Sequence, residues 1–188
     1  MKLAKYIALI CEGAAENAIM DVLLDNELLI FKRNDLIEEE VIRSRDGKKF
    51  EERYLRKGFN DKISILRILD SRNENFKISK AYIGKVDVIN IITAPEIEML
   101  IIFNERKYKE FKKSKKKPST FCKEDLKMAK VKNYDFVKEY FKDPVILLNA
   151  IKMYQQISKI EKDEYSLIDL LNKWFLFLSC SILKWFIN

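Results

Sequence analysis

From Tyr6 to Cys11 the chain is continuously apolar, reading YIALIC. A run with no polar face suits a strand buried on both sides, as in a parallel sheet. The run stops at Glu12-Gly13. From Ala14 to Leu24 the period becomes helical: Ala15, Ile19, Val22 and Leu23 form one stripe, with Glu16, Asp21 and Asp25 off it. The chain therefore begins strand, Glu-Gly, helix.

Two further β-branched, apolar segments predict strands, KISILRILD (62–70) and VDVINIIT (86–93). A shorter strand is expected over 39–45, a turn at Asp46-Gly47 and a helix over 50–56. Thr93-Ala94-Pro95-Glu96 predicts a helix start, with Thr93 as N-cap and Glu96 at the capping-box position. That helix continues through EIEMLIIFNE. Beyond Arg106 the pattern is helical only, with segments at 135–141, 145–160 and 166–185, and Pro144 dividing the first two. Strands alternating with helices define an α/β protein. The expected architecture is a small, mostly parallel sheet flanked by helices over 1–113, with an all-helical region over 114–188 packed on it.

The 188 residues contain no histidine. That removes a Ser-His-Asp triad, a Cys-His dyad, His-ligated zinc and a histidine base. Cys11, Cys122 and Cys180 are scattered without zinc spacing, which fits a reducing, cytoplasmic setting. The apolar run 174–187 is shorter than the roughly 20 residues a bilayer span requires and carries Lys184, so no membrane association is expected. It is read as core, with a dimer or partner interface as the competing use. No G-x-x-x-x-G-K-[ST] or G-x-G-x-x-G occurs, which excludes a P-loop ATPase and a dinucleotide turn.

In open α/β sheets, ligands bind beyond the carboxyl ends of the strands. Glu12, Asp70 and the 93–98 segment fall there. Carboxylates gathered at that edge suit Mg²⁺, a hard cation with oxygen ligands, and its phosphodiester chemistry needs no histidine. Each acid also has a structural use. Glu12 suits a helix N-terminus, Asp70 opens a turn-rich run, and Glu96 is read as a cap before a ligand. Glu98, one turn further on, would be exposed if it has no role in a site.

ICEGAAE followed by a helix resembles the first motif of the Toprim (topoisomerase–primase) fold, in which a strand ends in Glu-Gly. RILDSR sits where that fold places an Asp-x-Asp strand end. TAPEIEMLIIF is similar to the Pro-x-aromatic-Glu-x-x-Leu-Leu motif of the RloB-like abortive-infection branch, associated with phage defence. The resemblance spans roughly 2–113. It implies that Glu12 acts as general acid/base or metal ligand, that Asp70 ligates Mg²⁺ or Mn²⁺, and that Glu98 matches the later glutamate of the family. One departure stands out: Arg72 replaces the second acid of Asp-x-Asp. A cation there weakens metal binding or takes over phosphate contact.

The net charge of +7 is uneven. Between Arg106 and Lys132, 12 Lys and Arg face 3 acids, so the rest of the chain is slightly acidic. Lys112, Lys113, Lys115, Lys116 and Lys117, interleaved with Tyr108, Phe111 and Phe121, suit phosphate contact with base stacking. Arg43 and Arg45 on the second strand could join them. The competing reading is a solvated helix face or linker. Two functions stand at this stage. One is a Mg²⁺-dependent Toprim-like nuclease or phosphoryl-transfer protein acting on nucleic acid in phage defence. The other is a catalytically degenerate module that binds nucleic acid, an operon-encoded partner protein or a second copy of itself.

Overall fold

The structure is a computed structural model that describes residues 1–57, 61–72, 76–158, 160–161 and 164–174. Three strands, β1 (Tyr6–Cys11), β2 (Ile63–Leu69) and β3 (Val86–Ile92), form a parallel sheet in the order β1-β2-β3. The continuous apolar runs behave as expected. Every residue of β2 is buried, while β3 leaves Asp87, Val88 and Asn90 exposed. Tyr6 pairs with Ile63 and Ile63 with Val86, so the three carboxyl ends lie side by side.

The expected strand over 39–45 is instead an irregular segment that touches β1. Ile42 donates its N–H to the Leu9 carbonyl and accepts from the Cys11 N–H, while Leu36 bridges to Ile7. Only isolated bridges form because apolar Val41 and Ile42 stand alone among charges. On the far edge, the Ile92 N–H donates to the Tyr165 carbonyl. Both sheet edges are thus partly covered, which limits pairing with other chains.

Helix α1 (Ala14–Asp25) lays Ala15, Ile19, Val22 and Leu23 on one sheet face, as its stripe predicts. The same core continues into α3 (Met99–Asn104), α5 (Pro118–Glu124), α6 (Tyr134–Tyr140), α7 (Pro144–Ile157) and α8 (Leu167–Leu170). Helix α4 (Tyr108–Ser114) packs at its margin through Tyr108 and Phe111. The opposite face is covered by α2 (Gly47–Tyr54) with Phe76, Ile78 and Tyr82. Asp46 is more than a turn residue, since its carboxylate caps α2 by accepting from the Lys48 and Lys49 N–H groups. Gly47 is needed for close approach, because a Cβ there would overlap the Lys77 backbone.

Thr93 does not cap a helix. Its hydroxyl donates to the Leu69 carbonyl at 3.0 Å, tying the ends of β3 and β2 together. The helix begins later, at Met99, with Glu98 as N-cap. The last expected helix also breaks early: Leu171 is extended and bridges to Leu29. The remainder of that run, with Phe175, Phe177, Trp185 and Phe186, lies outside the described residues. Among the described residues no helix is long and apolar enough to cross a membrane.

Candidate functional site

The strand ends deliver their acids to one place. The carboxylates of Glu12, Glu16, Asp70 and Glu98 line a single cavity of about 440 Å³ at the carboxyl edge of the sheet, together with Arg45 and Lys132. Glu12 follows β1 directly and Asp70 follows β2. Glu16 comes from the first turn of α1, and Glu98 from the start of α3. The Glu16 carboxylate folds over Gly13, and a Cβ at that position would push this flexible side chain aside.

Two guanidinium groups hold Glu12. Arg45 Nε lies 3.1 Å from Oε2 and Arg67 Nη2 lies 3.5 Å from Oε1. Arg67 is only 1% exposed, in the middle of β2, with its guanidinium 4.7 Å from the Phe76 ring centroid. Desolvating that cation is costly, and the Phe76 face and Glu12 offset part of the cost. Lys132 Nζ sits 3.6 Å from Glu96 and 3.8 Å from Glu98. These are long contacts for ion pairs.

The carboxyls are crowded. Glu98 is not exposed but 4% accessible. Burial pushes its carboxyl up to about 7, and the charges of Glu96 and Glu16 add to this, against its own backbone hydrogen bond and Lys132. Burial also raises Glu16, with Asp70 adding repulsion and Lys132 and Arg45 opposing. Burial disfavours the Lys132 ammonium, but Glu98, Glu96, Glu16 and Asp70 together raise it above its ordinary value.

The donor set suits a hard cation in type, because all four acids offer oxygen. Among the described residues, however, no three acid or cysteine side chains form a group that could hold a metal ion. The acids thus form no closed protein cage, whereas Mg²⁺ that keeps its waters needs only one or two carboxylates.

The other sequence candidates divide. Arg45 lines the cavity. Arg43 lies in a separate polar cleft beside Asp21, Arg33 and Tyr134. Arg72 does not line the acid cavity; it makes a bidentate pair with Glu164 at 2.5 and 2.8 Å. Glu96 is a cap, although not of its own helix: Oε2 accepts from the Ser119 N–H of α5 at 2.7 Å. Lys112, Lys113 and Lys115 are exposed on or just after α4, and Lys117 is exposed before α5. Lys116 pairs with Glu124 and Asp125 at 3.0 and 2.6 Å. Phe121 is buried in the core, whereas Tyr108 and Phe111 are half-buried and only part of each ring reaches the surface.

Sequence reasoning missed Glu16, Arg67 and Lys132. Glu16 lies four residues after Glu12, on the turn that follows the strand, and Arg67 is the lone charge inside ISILRIL; both were visible signals. Lys132 was one of 12 cations in its segment and carried none. The chain matches no protein-family model, no curated protein and no solved structure.

Proposed function

We propose that the acid cavity is a divalent-cation-assisted phosphoryl-transfer site acting on nucleic acid, the chemistry of a nuclease. The observation that carries this reading is the meeting of Glu12, Glu16, Asp70 and Glu98 with Arg45 and Lys132 in one cavity at the carboxyl edge of a parallel sheet. A phage-defence role is the setting that the resemblance to the RloB-like abortive-infection branch implies.

Asp70 and Glu98 would hold Mg²⁺ or Mn²⁺, with Glu16 adding negative potential beside them. The bound ion would supply Lewis acidity to a phosphoryl oxygen and acidify a water. Arg45 and Lys132 would present cations to the non-bridging phosphate oxygens and stabilise charge that develops there. Arg45 also orients the Glu12 carboxylate from one side while buried Arg67 fixes it from the other, leaving Glu12 placed to take a proton from the attacking water.

The test is cleavage of labelled single- and double-stranded DNA and RNA with Mg²⁺ or Mn²⁺. The expected result is divalent-dependent cleavage that falls by about 10²-fold or more in Glu12→Ala. Absence of cleavage of all four substrates by the wild type, or full activity in Glu12→Ala, overturns it. A second reading has its own support, since Arg45 and Arg67 already pair Glu12 and Arg72 stands at the second-acid position. In that reading the fold binds nucleic acid without cutting it. Salt-sensitive binding without cleavage is the result that favours it.

A further inference from the structure

A second cavity has a quite different character. It encloses about 350 Å³ and is walled by Phe103, Tyr108, Phe111, Tyr154 and Pro95, with Arg72 at its margin. The rings line one side. Phe103 and Tyr108 are stacked at 5.1 Å between centroids with 21° between planes, and Phe111 lies 6.4 Å from Tyr108, tilted by 41°. Phe103 and Tyr154 are buried, and the Tyr154 hydroxyl donates to the Ala94 carbonyl. The floor is therefore fixed, while Tyr108 and Phe111 remain half open. Lys112 Nζ lies 5.9 Å from the Tyr108 ring centroid, and exposed Lys109 and Lys113 share its helix.

The two cavities have no lining residue in common, but residues next to one another in the chain line them. Glu98 lines one and the next residue, Met99, lines the other; Asp70 lines one and Arg72 the other. Adjacent Cα atoms are about 3.8 Å apart, so these wall positions are separated by one or two residue steps. A strand held by its phosphates at the acid cavity therefore runs close to residues that wall the aromatic one.

We infer that the aromatic cavity is a base-binding pocket. It takes an unpaired nucleobase, stacked on Tyr108 and Phe111, from the same nucleic acid whose phosphodiester occupies the acid cavity. The substrate class is thereby single-stranded or locally unpaired nucleic acid. Every base offers a π-face, so a stacking platform beside lysines binds single strands with little sequence preference. A base paired within a duplex is withheld from it. This inference rests on reading the neighbouring cavity as a phosphodiester site.

The experiment is fluorescence anisotropy at one fixed salt concentration, in EDTA, with the full chain. The probes are a fluorescein-labelled oligothymidylate, the same backbone made wholly abasic, and a duplex. The expected result is that the wild type binds the base-bearing strand about 5- to 150-fold tighter than the abasic strand, with the duplex resembling the abasic strand. Phe111→Ala, and separately Ile157→Trp, which fills the mouth from an exposed position, should erase that gap and leave abasic binding unchanged. Equal affinity of wild type for base-bearing and abasic strands overturns the inference whatever the variants do. A gap that survives both substitutions overturns it as well. The two readings fail separately. A base-dependent gap in EDTA without cleavage in Mg²⁺ removes the reaction and keeps the pocket. Cleavage without a gap removes the pocket and keeps the reaction.

Discussion

Helix α1 carries a cluster of acids and cations at each end, and the two are built from the same residue types to different effect. At the carboxyl end, Arg33 Nη2 lies 2.8 Å from Asp21 and 2.6 Å from Asp25, Lys138 lies 3.1 Å from Asp25, and the Tyr134 hydroxyl donates to Asp21 at 2.9 Å. At the amino end, the lysine contacts are 3.6 and 3.8 Å, and those of Glu12 are 3.1 and 3.5 Å. Electrostatics accounts for part of the contrast. Aspartates near a helix carboxyl end face the negative pole of the macrodipole and need close cations, whereas glutamates at the amino end are favoured there. Burial disfavours charge on Asp25 and Arg33, yet their mutual hydrogen bonds, with Lys138, hold Asp25 below and Arg33 above their ordinary values. Across the helix, Glu16 and Glu98 are pushed the other way. One cluster is a clasp that joins α1 to α6; the other keeps unspent negative potential inside a cavity. Perturbed acids in a cleft mark functional sites more often than satisfied pairs do.

The largest expected effect breaks the contrast through pH. The native chain keeps a proton on Glu98 up to about pH 7, which the unfolded chain releases near the usual carboxylate range. Stability should therefore fall as pH rises from about 4.5 to about 7, and level off above that. Glu98→Gln should flatten this slope to the smaller part that raised Glu16 contributes, and be more stable than wild type by about 2–3 kcal/mol near pH 8 and about equal near pH 4. Urea denaturation across that range is the measurement. A variant that keeps the wild-type slope would make the amino-end cluster another clasp.

The opposite slope belongs to the clasp. Asp25 is lowered on folding, so its contribution is present above the ordinary aspartate range and is lost as pH falls through the depressed value. Arg33→Ala should cost about 1–2 kcal/mol near neutral pH, a figure held down by the partial exposure of the arginine, and nothing in acid. It should leave any cleavage rate per folded molecule unchanged. A loss of rate larger than the loss of folded protein would place the clasp in the site.

Much of this contrast was open to sequence reasoning, but unevenly. The strands were legible because a parallel sheet buried on both faces demands continuous apolar runs, and 6–11 and 63–69 supply them. The position of Glu12 and Asp70 at a common edge followed from strand register in an α/β sheet. The start of α3 was misread because Thr93-Ala94-Pro95-Glu96 has the right residue types for a cap, whereas the Thr93 hydroxyl finds a carbonyl at the end of the neighbouring strand and Glu96 finds the N–H of another helix. Tertiary partners chose between equivalent local options. Lys132 was hidden for the same reason: its position over the acids depends on how the segment between α5 and α6 returns across the sheet, and nothing in a lysine-rich run encodes which lysine returns.

That lysine gives the smallest and most discriminating test. Its side chain is about half exposed, at 52%, so its pairs with Glu96 and Glu98 should be worth less than about 1 kcal/mol of stability. Lys132→Gln should therefore unfold almost as wild type does. Its effect should lie in competition. An ammonium among four carboxylates occupies the potential that a divalent cation would use, and its removal leaves only the arginines on Glu12 to oppose that potential. The thermal stabilisation by Mg²⁺ should appear at a few-fold lower concentration in Lys132→Gln, and this gain should shrink as monovalent salt is added. Lys138→Gln, the matching change at the clasp, should leave the Mg²⁺ response where it is, because the acids there already have close partners. Equal Mg²⁺ responses in the two variants would mean that the cavity at the amino end of α1 attracts a cation no better than the clasp does, and the contrast drawn from their distances would carry no functional weight.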